Sequence, residues 1–153
     1  MSHSSRRSAN QDNFRFQLAI RDGFCLVTNS KKAVASHILP ISRPEYYTEV
    51  LGYDPGYLYD VSYGLFLRRD MHHAFDRGEW SLCSKPGEPD TLQIHVFYSE
   101  DPADDLKSYH GKEIKEDRFR FHSLQELPHR GLLAFHYRQC IIKHVRLFSH
   151  FPN

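Results

Sequence analysis

The sequence predicts a single α+β domain. Short strand-like runs bounded by turn residues recur between positions 24 and 121, and helix-spaced apolar residues follow Pro128. Across 153 residues, 40% hydrophobic and 14% aromatic content is enough for one packed core. The first twelve residues, M-S-H-S-S-R-R-S-A-N-Q-D, are too polar to bury anything and read as a mobile tail, leaving 13–153 as the domain.

In chain order, residues 14–22 are helix-compatible, with Asp12 or Asn13 as cap and Gly23 as stop. Residues 24–28 read as a strand, T-N-S-K-K as a turn, and residues 33–38 as the returning strand of a hairpin that ends near His37. Pro44 opens a short helix, E-Y-Y-T-E-V-L, that Gly52 closes. The tract Y-D-P-G-Y-L-Y-D at 53–60 is turn-rich, and its tyrosines serve either packing or base stacking. Asp70 is placed to cap a helix bearing His72 and Asp76, with Gly78 as its stop. Residues 79–83 and 91–98 read as strands joined by K-P-G-E-P-D, and 99–111 as a surface loop. K-E-I at 112–114 and R-F-R-F at 118–121 are candidate edge strands. Pro128 then opens a long helix whose apolar surface includes Leu132, Leu133, Phe135, Ile141, Ile142 and Val145.

A formal charge of +1 neither demands nor excludes a polyanionic partner, because phosphate binding needs a local patch. Candidate patches are Lys31 with Lys32; Arg68, Arg69 and Arg77; and Arg138, Lys143, His144 and Arg146 on the last helix. For each, solvated surface charge is the alternative. Cys25, Cys83 and Cys140 lie far apart in apolar settings, which argues against a zinc knuckle or a disulfide framework. No apolar run reaches membrane-spanning length and the N-terminus lacks a secretory h-region, so an intracellular setting, cytosol or nucleus, is expected with no membrane partner.

The chemistry concentrates between Ala35 and Gly78. On a helix, His72 and Asp76 are four apart and share a face, so an imidazole and a carboxylate can hold one divalent ion. His37, from another element, can face that ion, and an ordinary pKa of about 6.5 suits an imidazole to accept a proton near neutrality. His73, three residues from Asp76, is the rival to His72. A helix-stabilising His72–Asp76 pair is the plainer alternative to a metal site. The remaining histidines have no comparable spacing.

A-S-H-I-L-P at 35–40, followed by Y-G-L-F-L-R-R-D-M-H-H-A-F-D-R-G at 63–78, resembles the HNH endonuclease family, in the version with a larger C-terminal extension often found in fungal proteins. The similarity is read from R-D-G-F-C-L-V-T-N at 21–29 to F-H-Y-R-Q-C at 135–140. It implies a ββα-metal core of hairpin plus helix, with additional antiparallel strands and the long C-terminal helix around it. It further implies His37 as general base, a divalent cation on His72 and Asp76, and DNA as substrate, with RNA as the variant. Two protein ligands suit Mg²⁺ or Mn²⁺, although Zn²⁺ or Ni²⁺ can occupy such a pair. Tyr63 falls on the family's Asn position and is the second expected catalytic residue. Ser36 stands where many members place a further ligand. These two departures define the alternative, a catalytically degenerate module that binds nucleic acid or a protein partner.

Overall fold

Phe14 and Leu18, one turn apart, give the first helix its buried face. This helix, α1 (His3–Asp22), ends where Gly23 adopts φ 74° and its N–H bonds the Ala19 carbonyl at 2.9 Å. The structure, a computed structural model, describes residues 3–100, 105–121 and 123–149. The expected tail is therefore corrected: the chain is helical from His3, and residues 1–2 lie outside the described part. Once residues 14–22 are docked, extending the helix upstream adds one hydrogen bond per residue without a new nucleus. As the composition implied, residues 6–13 add nothing to the core.

The expected 24–28 strand is a turn. Asn29 N–H returns to the Cys25 carbonyl at 2.9 Å, and Asn29 itself sits at φ 60°, a conformation asparagine tolerates. The partner of β1 (Val34–His37) is instead β2 (Gly64–Leu67), antiparallel, with Val34 opposite Leu67 and His37 opposite Gly64. All four residues of β2 are buried, because β1 lies on one edge and the 22–26 segment on the other: Leu26 N–H donates to the Phe66 carbonyl at 3.0 Å. Between the strands, α2 (Pro44–Leu51) runs as expected, with Gly52 left-handed at its end.

After β2 comes α3 (Arg69–Asp76). Asp70 is inside its first turn and does not cap it; the cap position is Arg68, whose guanidinium grips the Asp70 carboxylate at 2.6 and 2.8 Å. A carboxylate there still complements the helix dipole. Met71, Ala74 and Phe75 are buried, and the Trp80 indole N–H donates to the Met71 carbonyl at 2.9 Å, tying the helix to the second sheet. That sheet is antiparallel β3 (Trp80–Lys85), β4 (Glu88–Val96) and β5 (Glu113–Ile114), in that order. The expected 118–121 strand is absent: a 3-10 turn (Glu116–Arg118) aims Arg118 at the carbonyls of Asp22, Phe24 and Cys25. Part of the expected 99–111 surface loop turns inward, since Leu106 is fully buried; residues 101–104 lie outside the described part. The long α4 (Arg130–Ser149) packs on β3 and α2. None of the described helices is long and apolar enough to cross a membrane.

Two buried polar clusters fix these layers. Arg21 and Asp22 are both 2% exposed. Arg21 donates to the Asp22 carboxylate at 2.7 and 3.0 Å and to the carbonyls of Val61, Gly64 and Glu126 at 2.7, 2.8 and 3.0 Å. Asp22 in turn accepts the Phe66 N–H at 3.0 Å, closing the outer edge of β2. Farther along, His136 of α4 stacks flat on Phe75 at 3.6 Å, donates from Nε2 to the Phe75 carbonyl at 3.0 Å, and accepts the Ser81 hydroxyl at Nδ1, 2.7 Å away.

Removing the Arg21 side chain strands a buried carboxylate and three carbonyls, so Arg21→Met is expected to lose about 3–5 kcal/mol in urea unfolding. Burial pushes His136 down to about 4, with the Phe75 carbonyl opposing. Below the unfolded-state pKa of about 6.5 the unfolded chain takes a proton that the folded chain refuses. Stability therefore falls as pH drops from that value toward 4, by roughly 3 kcal/mol from this group. His136→Gln should flatten that part of the stability-against-pH curve; an unchanged slope would contradict it.

Candidate active site

His37 occupies the last position of β1, opposite Gly64. A Cβ on Gly64 would lie 2.3 Å from the Phe14 ring and 2.9 Å from Leu18, so only glycine lets α1 lie this close on the hairpin. The consequence reaches His37, because Phe14 stacks on its imidazole with ring centres 4.3 Å apart and planes 19° from parallel. Tyr59 closes a second side edge-on at 5.4 Å. The Leu58 carbonyl sits 2.8 Å from His37 Nε2. A carbonyl only accepts, so Nε2 holds the proton and Nδ1 keeps its lone pair. Burial lowers the pKa of His37; the Leu58 carbonyl pulls the other way, and smaller effects come from His72, which lowers it, and Asp76, which raises it. A neutral imidazole with Nδ1 as acceptor is the state this setting favours near pH 7.

The buried face of α3 leaves Arg69, His72, His73 and Asp76 on the opposite side. His72 Nε2 lies 3.0 Å from Asp76 Oδ2, with the two side chains 25% and 54% exposed. Between the rival histidines, His72 is the one paired with Asp76, while His73 stacks its ring on His72 at 5.6 Å. α3 packs against β1, and His72 and Asp76 lie near enough to His37 to act weakly on its charge. Among the described residues, no group of three His, Cys, Asp or Glu side chains gathers as a metal cluster. The donor set is thus one imidazole and one carboxylate. Such a pair fits an ion that keeps several waters, as Mg²⁺ and Mn²⁺ do.

The other expected residues are placed differently. Tyr63 is 7% exposed, its ring packs on Tyr47 at 5.3 Å, and burial, Tyr53 and Asp60 all push its phenol up. It serves the hairpin through its backbone, accepting the Ile38 N–H at 2.9 Å. Ser36 is buried, with its hydroxyl 3.4 Å from the Val34 carbonyl. Arg68 is occupied by Asp70 and Asp105, and Arg77 by Glu79 at 2.5 Å. Arg69 is exposed and forms no ion pair among the described residues. In the tyrosine tract, Tyr59 packs against Phe14 and His37, whereas Tyr53 and Tyr57 are exposed.

Sequence reasoning missed Phe14, the Leu58 carbonyl and Tyr59. Phe14 and Leu18 stand one helical turn apart, but nothing local in the sequence names the histidine beneath them. The Leu58 carbonyl has no side-chain signature at all.

The structure thus presents an antiparallel strand pair followed by a helix, with a histidine at the strand end and a His–Asp pair on the helix. Residues 25–82 match the family model described as HNH endonuclease. The match runs from Cys25 to Leu82 and so leaves out α1, β4, β5 and α4. No curated protein and no solved structure matches the chain.

The stack on Phe14 and the bond to Leu58 make a spectroscopic prediction. His37 should titrate below 6.5, with nitrogen shifts of the Nε2–H tautomer, and Phe14→Ala should move the midpoint back up by admitting water. A midpoint at or above the ordinary value in the parent protein would contradict this environment.

Proposed function

We propose that the chain is a metal-dependent endonuclease that hydrolyses DNA phosphodiester bonds, with residues 13–153 acting as one nuclease-like domain to which the rest of α1 is joined. The carrying observation is His37 itself: an imidazole pinned through Nε2, held neutral by burial, and set beside a ready His72–Asp76 pair. In this reading Nδ1 of His37 accepts a proton from the attacking water. Leu58 and Phe14 keep the ring in one orientation while that proton arrives. His72 and Asp76 hold Mg²⁺ or Mn²⁺. When bound, such a cation offsets charge on a non-bridging phosphate oxygen and on the departing oxygen. Holding a cation would require these two side chains to part from each other, which their exposure permits.

A second reading, a binding module without turnover, is favoured by Tyr63 and Ser36. Tyr63 turns its ring into the core instead of supplying an amide near the base, and Ser36 leaves the cation only two protein ligands. Supercoiled plasmid separates the two. The enzyme reading expects nicking with Mg²⁺ or Mn²⁺, none with EDTA, and a loss of about 10²–10⁴-fold in His37→Ala. Nicking that survives His37→Ala removes that residue from the role; no nicking with any cation favours the binding module. The same assay on RNA decides the substrate variant.

A further inference from the structure

We propose that the open groove between α1, the turn at 30–32 and the first turn of α3 binds the phosphodiester backbone of nucleic acid beyond the cleavage site. This inference rests on the nuclease reading and assigns the path of the strand. The chain as a whole has a formal charge of only +1, yet this groove gathers Arg15, Lys31, Lys32, Arg68 and Arg69 from three separate parts of the sequence. Asp70 is the one carboxylate lining it, and Arg68 already grips it in two hydrogen bonds. Arg15, Lys31, Lys32 and Arg69 are exposed and form no ion pair among the described residues. Their mutual repulsion is unrelieved within the protein, which is the arrangement a polyanion relieves.

Shape and position agree with charge. Ala33, Val34 and Phe66 add apolar lining, with Ala33 and Phe66 buried and Arg15, Lys31, Lys32 and Arg69 exposed. A volume of about 840 Å³ exceeds what a lone phosphate needs and accommodates a stretch of strand. The groove also adjoins the site: His73 lines it and stacks on His72, the partner of Asp76. Arg69 and His73 are four apart on α3, as are His72 and Asp76, so two neighbouring rows of one helix face serve the groove and the site respectively. A strand held at the His72–Asp76 pair thus has a cationic channel to run into. Arg15 enters from α1 and lies outside the matched family segment, so this part of the channel belongs to this chain's own extension.

Fluorescence anisotropy with a labelled DNA duplex tests this, using full-length His37→Ala protein so that the probe stays intact. Adding Arg15→Glu, Lys31→Glu and Lys32→Glu should weaken binding roughly 30-fold or more and lower the slope of log affinity against log salt by about 3. The control set, Lys115→Glu, Arg120→Glu and Arg130→Glu, makes the same charge change at exposed positions elsewhere and should weaken binding by less than about 3-fold. Equal effects of the two sets overturn the groove while leaving the nuclease reading intact. A parent chain that neither binds nor nicks DNA overturns both. Circular dichroism of each variant confirms that the surface substitutions leave the fold in place.

Discussion

A guanidinium and a carboxylate adjacent in sequence, Arg21 and Asp22, hold this molecule together from a position sealed against water. Their bonds reach the end of α1, the carbonyls of Val61, Gly64 and Glu126, and the amide of Phe66. Desolvating two charges is costly, and the cost is offset only because the guanidinium's donors reach the carboxylate and three carbonyls in good geometry. The return is positional. With Asp22 fixed to the outer edge of β2, α1 must cross the hairpin where Gly64 has no side chain, and Phe14 must land on His37. A charge pair in one helix turn thereby determines the environment of an imidazole several residues away.

The opposite wall of the site is set by packing. Met71, Ala74 and Phe75 bury one side of α3 against β3, and Trp80 and His136 each bond a carbonyl of that helix. Rotation of α3 would break both bonds and bury histidine or aspartate, so its outward face is constrained to present Arg69, His72, His73 and Asp76. Nothing in that constraint needs a cation. The pair at 3.0 Å is formed by the fold itself. The family match covers the strand pair and α3, while two of the groups that restrain them, Phe14 and His136, lie outside it.

Much of this was readable from residues alone. Pro44 with Gly52, the 3.6-residue pattern after Pro128, and the run from Trp80 to Val96 gave elements close to those observed, because capping residues and periodicity are local signals. The pairing of β1 was not local. Residues 24–28 have strand-like composition, but a positive-φ Asn29 and the demand of Leu26 for the Phe66 carbonyl turn them into a bend, and β2 comes from far along the chain. The tail was misread for a related reason, since its helix continues from a docked segment and its own residues show no apolar face. At the site, the four-residue spacing of His72 and Asp76 anticipated that they share one face of α3 and pair there. Spacing could not reveal that Tyr63 packs on Tyr47 or that Asp105 and Glu100 join the near neighbours Asp70 and Glu79 in holding Arg68 and Arg77, because those contacts come from residues distant in sequence.

The central claim is that His72 and Asp76 form a cation site beside His37, and Mn²⁺ tests it without requiring turnover. Because paramagnetic broadening falls steeply with distance, titrating Mn²⁺ into isotope-labelled protein should broaden His72 and Asp76 first and His37 next, and the effect should vanish in Asp76→Ala. Uniform weak broadening over the surface, or selective broadening that persists without the Asp76 carboxylate, would contradict the account.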